Sequence, residues 1–257
     1  MRLTRAVVRR PSPNFAEGLT QAGLGSPTFA SAKAQHDRYC EELERCGLRL
    51  TRLATDPRHP DATFVEDTAI LTGRGAILTR PGAESRRGEV ASVREALLDL
   101  APSVGEIDAP GTVDGGDVCD TGDRFLIGIS ARTNEEGARQ LRTILERLGY
   151  EAVTVDVRGV PQLLHLKSGL AALDDRRLVA IDALAGRSEL RGFDVVRVEA
   201  GESYAANCLC VNGRVLVARG SPLLEAALTA LRYDVVTLEM SEFRKMDGGL
   251  SCLSLRF

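Results

Sequence analysis

Cys252, His165 and Asp114 are the residues of this chain best suited to covalent chemistry. A thiolate attacks, an imidazole moves the proton, and a carboxylate fixes the imidazole tautomer. Taken singly, a cysteine in MDGGLSCLSL or a histidine in LHLKSG is more often a buried structural residue. Their recurrence at matching places in an internal repeat favours a shared site. Glu66 and Asp67, adjacent in FVEDTAIL, add two carboxylates that suit a planar cation offering several N–H donors. The chemistry implied is nucleophilic attack on a guanidinium group. Asn207 in YAANC and Asp247 in MDGGLS fall at equivalent places and complete the polar set.

The elements that must hold these residues follow from the repeat. Four segments share the order strand, tight turn with arginine, strand, helix, strand: TFVEDTAILTGRGAILTRP, TVDGGDVCDTGDRFLIGIS, LHLKSGLAALDDRRLVAID and SYAANCLCVNGRVLVARGS. Their turn arginines, Arg74, Arg124, Arg177 and Arg214, are spaced 50, 53 and 37 residues apart. A fifth copy is assembled from the two ends, with KMDGGLSCLSLRF as its first strand and RAVVRRP and HDRYCEELERCGLRLTRL as the remainder. Units of this kind bury their helix stripes only against one another, which predicts a radial α/β propeller of five units closed by the termini. A doubly wound sheet is the alternative, but no GxGxxG follows a strand and opens a helix.

Local signals agree with that order. In ARTNEEGARQLRTILERLGY, Thr133 and Glu136 predict a capping box, Ala138, Leu141, Leu145 and Leu148 an apolar stripe, and Gly149 a left-handed C-terminal cap. In SPLLEAALTALRY, Ser221 predicts an N-cap with Pro222 at the first helical position and a stripe of Leu224, Leu228 and Leu231. If the first strand of each unit lies nearest the axis, its polar residues converge there. Period-two alternation then sets Leu253 and Leu255 on one face and Cys252 on the other, and likewise sets Leu164 and Leu166 opposite His165.

Composition excludes several classes. The chain has 257 residues, 44% of them hydrophobic, enough for a full core. A net charge of -3, with 33 basic and 36 acidic residues dispersed, offers no stripe for nucleic acid and no polybasic tail for a membrane. No run of about 18 apolar residues occurs, and the N-terminus lacks the apolar core of a signal peptide, so a cytoplasmic protein is expected. Six cysteines are too sparse for a disulfide scaffold. Cys208 and Cys210 have no second Cys or His pair nearby at zinc-ligand spacing, so no metal is expected.

Several long segments in order, FVEDTAIL, RPGAESRRGE, APGTVDGGDV, ARTNEEGARQ, HLKSGL, ESYAANC and SEFRKMDGGLSCLSLRF, resemble the dimethylarginine dimethylaminohydrolases of the guanidino-modifying pentein superfamily, essentially end to end. The resemblance implies one five-bladed α/β-propeller catalytic domain over residues 1–257. It implies hydrolysis of asymmetric dimethylarginine or monomethylarginine to citrulline and an alkylamine, without metal or organic cofactor. Carried over by position, it implies Cys252 as nucleophile, His165 as general acid/base and Asp114 as the acid that orients it, with Asp117 a competitor for that last role. Asp67 becomes the guanidinium-binding acid with Glu66 beside it. Further substrate contacts fall on Leu19 in an N-terminal loop, Asp61, Phe64, and on Arg86 and Arg132 as clamps for the amino-acid carboxylate. Arginine deiminase or amidinotransferase chemistry, or a non-catalytic binding propeller, are the rival readings, and self-association as a homodimer is left open.

Overall fold

A computed structural model describes residues 2–257. The chain opens with strand β1 (Arg5–Arg9), helix α1 (Phe29–Arg45) and strand β2 (Arg49–Leu53). Four complete units follow. The first is β3 (Ala69–Thr72), β4 (Gly75–Leu78), α2 (Glu89–Leu97) and β5 (Ser103–Glu106). The second is β6 (Val118–Asp120), β7 (Arg124–Ile129), α3 (Glu135–Arg147) and β8 (Glu151–Asp156). Then come β9 (Leu170–Ala172), β10 (Arg177–Ile181), a short α4 (Asp182–Ala185) and β11 (Asp194–Val198). The last is β12 (Leu209–Val211), β13 (Arg214–Ala218), α5 (Pro222–Ala230) and β14 (Asp234–Leu238). After α6 (Ser241–Arg244), strand β15 (Ser254–Arg256) returns to pair antiparallel with β1, Val7 facing Leu255. That pairing supplies the inner strand missing from the first unit and closes the ring of five three-stranded sheets.

In every sheet the middle strand runs antiparallel to the inner strand and parallel to the outer one. A tight hairpin suffices for the first step in the four continuous units, whereas the parallel step needs a crossover, which the helical segment provides. The middle strands, such as GAIL and RVLVA, are nearly continuous apolar runs because they are covered on both faces. The core is divided accordingly. Each apolar cluster draws on two neighbouring units: Ile70 and Ile77 pack with Phe125 and Leu141, and Val179 and Val198 pack with Val215, Leu224 and Leu228. A single unit would leave one side of its stripe in water, so the units stabilise one another.

The repeated turn arginines have a related purpose. Arg74 lies 5.2 Å from the ring centre of Tyr150, Arg124 5.5 Å from Phe193 and Arg177 5.8 Å from Tyr233, and each aromatic belongs to the following unit. The series ends at Arg214, which pairs with Asp234 at 2.7 Å and meets no such ring, since Leu48 stands before β2 where Tyr150, Phe193 and Tyr233 stand before β8, β11 and β14.

Some local expectations change. Helix α3 begins one residue later than the capping box required: Asn134 is the N-cap and accepts from the Gly137 N–H at 2.7 Å, while Glu136 pairs with Arg139 and Thr133 is buried. Ser221 is the residue before α5, but its hydroxyl donates to the Ala218 carbonyl and caps nothing. Leu224 and Leu228 are buried and Leu231 is exposed, since the helix ends at Ala230. Gly149 does adopt the left-handed conformation, with φ of 78°. Among the described residues no helix is long and apolar enough to cross a membrane.

Candidate active site

The polar residues expected on inner strands sit earlier, in or before short 3-10 turns, or just after one for Asn207, that precede those strands: Val65–Thr68, Gly115–Asp117, Leu166–Ser168, Ala200–Ala206 and Ser251–Leu253. The period-two argument for Cys252 therefore does not apply, because a 3-10 turn repeats every three residues and sends neighbouring side chains in diverging directions. Leu164 likewise shares a cavity with His165, while Leu166 is buried in the core.

The DGGD turn explains the imidazole. His165 Nε2 lies 3.0 Å from Asp114 Oδ2, and Asp114 Oδ1 accepts from the Gly82 N–H at 2.8 Å. Asp117 does not reach the ring: its Oδ1 accepts from the Leu166 N–H at 2.9 Å and its Oδ2 from the Ser130 hydroxyl at 2.6 Å. Asp114 thus holds the imidazole and Asp117 the backbone behind it. Gly116 is forced by proximity, since a Cβ there would stand 2.7 Å from His165 Nδ1.

Asp67 is buried, with Oδ1 accepting from the Gly116 N–H at 2.8 Å and Oδ2 from Arg86 Nη1 at 2.5 Å. Cys252 is half-buried, and its Sγ accepts from the Gly249 N–H at 3.4 Å. Asn207 secures that turn from the side, accepting from the Ser251 N–H at 3.0 Å and donating to the Ser251 hydroxyl oxygen at 3.0 Å and the Lys167 carbonyl at 2.7 Å. The N-terminal loop covers the mouth. Leu19 donates its N–H to both oxygens of Asp61 at 3.1 Å, and Asp247 accepts from the Gln21 N–H at 2.6 Å.

A cavity of about 30 Å³ collects these groups. Cys252, His165 and Asp67 line it together with Leu19, Asp61, Phe64, Arg86 and Arg132. Asp114 lies just behind, fully buried. Leu164, Met246, Asp247 and Gly248 complete the wall. Of these four, sequence places only Asp247 with the site's polar set. The Asp247-Gly248-Gly249 run repeats Asp114-Gly115-Gly116, and that repetition was the signal available for Asp247.

Charge is distributed unevenly. Burial works against the imidazolium, but Asp67, Asp117 and Asp114 outweigh it and raise the His165 pKa to about 9. Burial also opposes the Asp67 carboxylate, and Arg86 and His165 prevail, lowering its pKa to about 2. The Cys252 thiol is pushed up to about 12, first by burial and then by Glu66 and Asp67. Cys119 and Cys208 are raised to about 12 by burial too, so basicity does not mark the nucleophile. Its position on this cavity does. Asp67, Asp114 and His165 each offer a ligand atom within 4.8 Å of the others, but all four carboxylate oxygens are already engaged by Arg86, His165 and backbone N–H groups.

A family model for arginine deiminase matches residues 30–200. The N(G),N(G)-dimethylarginine dimethylaminohydrolase of Pseudomonas aeruginosa is 45% identical over 98% of this chain and 98% of its own. The chain belongs to the dimethylarginine dimethylaminohydrolase family. The Streptomyces coelicolor member is 39% identical over 98% of this chain and 96% of its own. A solved Pseudomonas aeruginosa structure, a cysteine-to-serine variant complexed with citrulline, superposes with a TM-score of 0.96 at 43% identity and covers 100% of both chains. The N-terminal domain of a cyanobacterial arginine dihydrolase shares the fold alone, at 19% identity and a TM-score of 0.88. The five-bladed propeller expected of a dimethylarginine dimethylaminohydrolase is the architecture observed.

Two of the residues implied as substrate contacts are already engaged by protein partners. Glu66 does not line the cavity: its carboxylate turns away to Lys167 at 2.6 Å, Arg256 at 3.3 Å and the Ser251 hydroxyl at 2.7 Å. Three donors hold it there, behind Cys252. Arg86 lines the cavity with most of its guanidinium engaged: Glu89 takes its Nε and Nη2 at 3.0 and 2.8 Å, the Phe64 carbonyl shares Nη2, and Asp67 takes Nη1. Arg132 differs. Among the described residues its guanidinium has no ion-paired or hydrogen-bonded partner.

Proposed function

We propose that this chain hydrolyses asymmetric dimethylarginine and monomethylarginine to citrulline and an alkylamine through a covalent intermediate on Cys252. The observation that carries the reading is one small cavity holding a thiol, an imidazolium, an ionised carboxylate and an uncommitted guanidinium. Asp67 accepts the unmethylated nitrogens of the substrate, and Arg132 takes its carboxylate by a charge-assisted pair. With the resting thiol raised to about 12, the incoming cation stabilises the thiolate, so Cys252 ionises on binding. The thiolate forms an S–C bond to the guanidinium carbon. The C–N bond to the methylated nitrogen then breaks as His165 gives its proton to the departing amine, leaving a thiouronium. Neutral His165 next takes a proton from water, the hydroxide adds to the same carbon, and the C–S bond breaks as the added hydroxyl gives its proton to solvent, releasing citrulline and the thiolate.

The five units are read as one folding domain spanning 1–257, and the setting as cytoplasmic, with a guanidino amino acid as the partner and no nucleic acid. A colorimetric citrulline assay on arginine, its methylated forms and agmatine tests the activity. Citrulline from the methylated arginines alone is expected. Turnover of arginine or agmatine at comparable rates overturns the substrate assignment.

A further inference from the structure

We propose that Glu89, the last residue of RPGAESRRGE and one given no role from sequence, is a positioning residue for the guanidinium-binding acid: it fixes Arg86, and through Arg86 the carboxylate of Asp67. Glu89 is the first residue of α2, 1% exposed, and far from the Cys252 turn in sequence. Its two oxygens accept from Arg86 Nε at 3.0 Å and Nη2 at 2.8 Å, a parallel fork that sets the plane of the guanidinium. The other Nη2 hydrogen goes to the Phe64 carbonyl at 3.0 Å, so Nη1 is the end left to face Asp67 Oδ2, at 2.5 Å. Of the five N–H bonds of Arg86, four are committed to the protein. The anchor is itself braced. Ser92 donates to the Glu89 carbonyl at 3.1 Å and accepts from a second buried guanidinium, Arg9, at 2.6 Å.

The consequence concerns direction. With Oδ2 held by Arg86 and Oδ1 by the Gly116 N–H, the Asp67 carboxylate cannot rotate, and its remaining lone pairs meet a planar cation in one orientation. Glu89→Gln removes half of the fork, since an amide accepts through its oxygen only and turns an NH2 group toward Arg86. Arg86 is then free to tilt and Asp67 to follow. The inference rests on Asp67 as the acceptor for a guanidinium, and its test avoids the methylarginine assay. Cys252 is alkylated by 2-chloroacetamidine, a planar cation without a carboxylate, and separately by neutral iodoacetamide. Glu89→Gln is expected to slow the amidinium reagent about tenfold, in the range of coupling between contacting residues, and the neutral one less than about twofold. Glu89→Asp, which keeps the charge but shortens the reach, should fall between.

Arg86→Lys provides an independent route if Glu89→Gln does not fold, because an ammonium keeps a charge beside Asp67 but cannot donate the parallel fork to Glu89. It should show the same selective slowing, and adding Glu89→Asp to it should cause no further selective loss. Equal slowing of both reagents, no slowing of either, or full additivity in the double variant overturns the proposal. Selective slowing in a protein that makes no citrulline from methylated arginines would support the positioning role while overturning the substrate reading.

Discussion

Two cavities meet at the 3-10 turns of this propeller, and the smaller one gathers the candidate reactive groups. The site around Cys252 measures about 30 Å³, whereas a second cavity of about 210 Å³ follows the inner strands past Ile70, Cys119 and Cys208. They share no lining residue. On the larger cavity Glu66 is satisfied by Lys167, Arg256 and Ser251. On the smaller one Arg132 has no partner among the described residues, the carboxylates around His165 raise its pKa to about 9, and burial pushes the Cys252 thiol up to about 12. Volume alone would have pointed to the wrong end of the molecule. Unspent charge beside a nucleophile points to the right one.

Adjacent residues divide between the two cavities, Cys252 from Ser251 and Asp67 from Glu66, so paired substitutions test the contrast. The largest effect is expected for Cys252→Ser, a loss of about 10⁴-fold or more in kcat with the fold intact, because the nucleophile's pKa rises steeply. Cys208→Ser, in the other cavity, should leave kcat within about twofold in the same citrulline assay, since that thiol touches no reacting group. Comparable losses at both positions would erase the distinction.

Next, Asp67→Asn should lower kcat on dimethylarginine by about 10²–10³-fold, in keeping with roughly 3–5 kcal/mol for breaking a buried ion pair. Glu66→Gln should instead act mainly on stability, because it strands Lys167 and Arg256, and a melting curve beside the kinetics would separate the two. A third, smaller change is predicted for Arg132→Ala. KM should rise about 10–100-fold with kcat nearly constant, since the carboxylate it binds is remote from the reacting carbon and held alike in ground and transition states. A kcat loss without a KM change would remove Arg132 from carboxylate recognition.

The smallest effect is a pH limb. The folded pKa of His165 is raised to about 9 from an ordinary 6.5, so the protonated imidazole that serves the leaving amine persists through neutrality and is lost as pH rises through about 9. kcat/KM should fall above that pH. The stability linked to the same group is complete below about 6.5 and disappears over the same rise, so urea midpoints should decline in parallel. A limb near 6.5 would mean that the carboxylates around the ring do not hold its proton.

Much of the site was legible because its parts are chemically unusual and regularly placed. Cys252, His165 and Asp114 stood out by type, and the DGG runs at Asp114 and Asp247 marked backbone that passes too close to His165, Phe64 and Asn207 for any Cβ. Glu89 was not legible. It reads as an ordinary first-turn helix acid, favoured by the helix dipole, and only its approach to Arg86 gives it another meaning.

The sequence by itself determined the fivefold repeat, the closure of the ring by its two ends and the chemical identity of the nucleophile, since these depend on periodicity and residue type along the chain. Tertiary structure decided which way each side chain faces. A 3-10 turn of three or four residues between a loop and a short strand has no period that sequence can reveal, so Glu66 and Asp67 could be separated only by the partners that claim them. The same holds for Arg86 and Arg132. Both are surface-type residues in sequence, and the difference between a committed guanidinium and an open one is set by Glu89, brought beside Arg86 within the first turn of α2 while nothing comparable reaches Arg132.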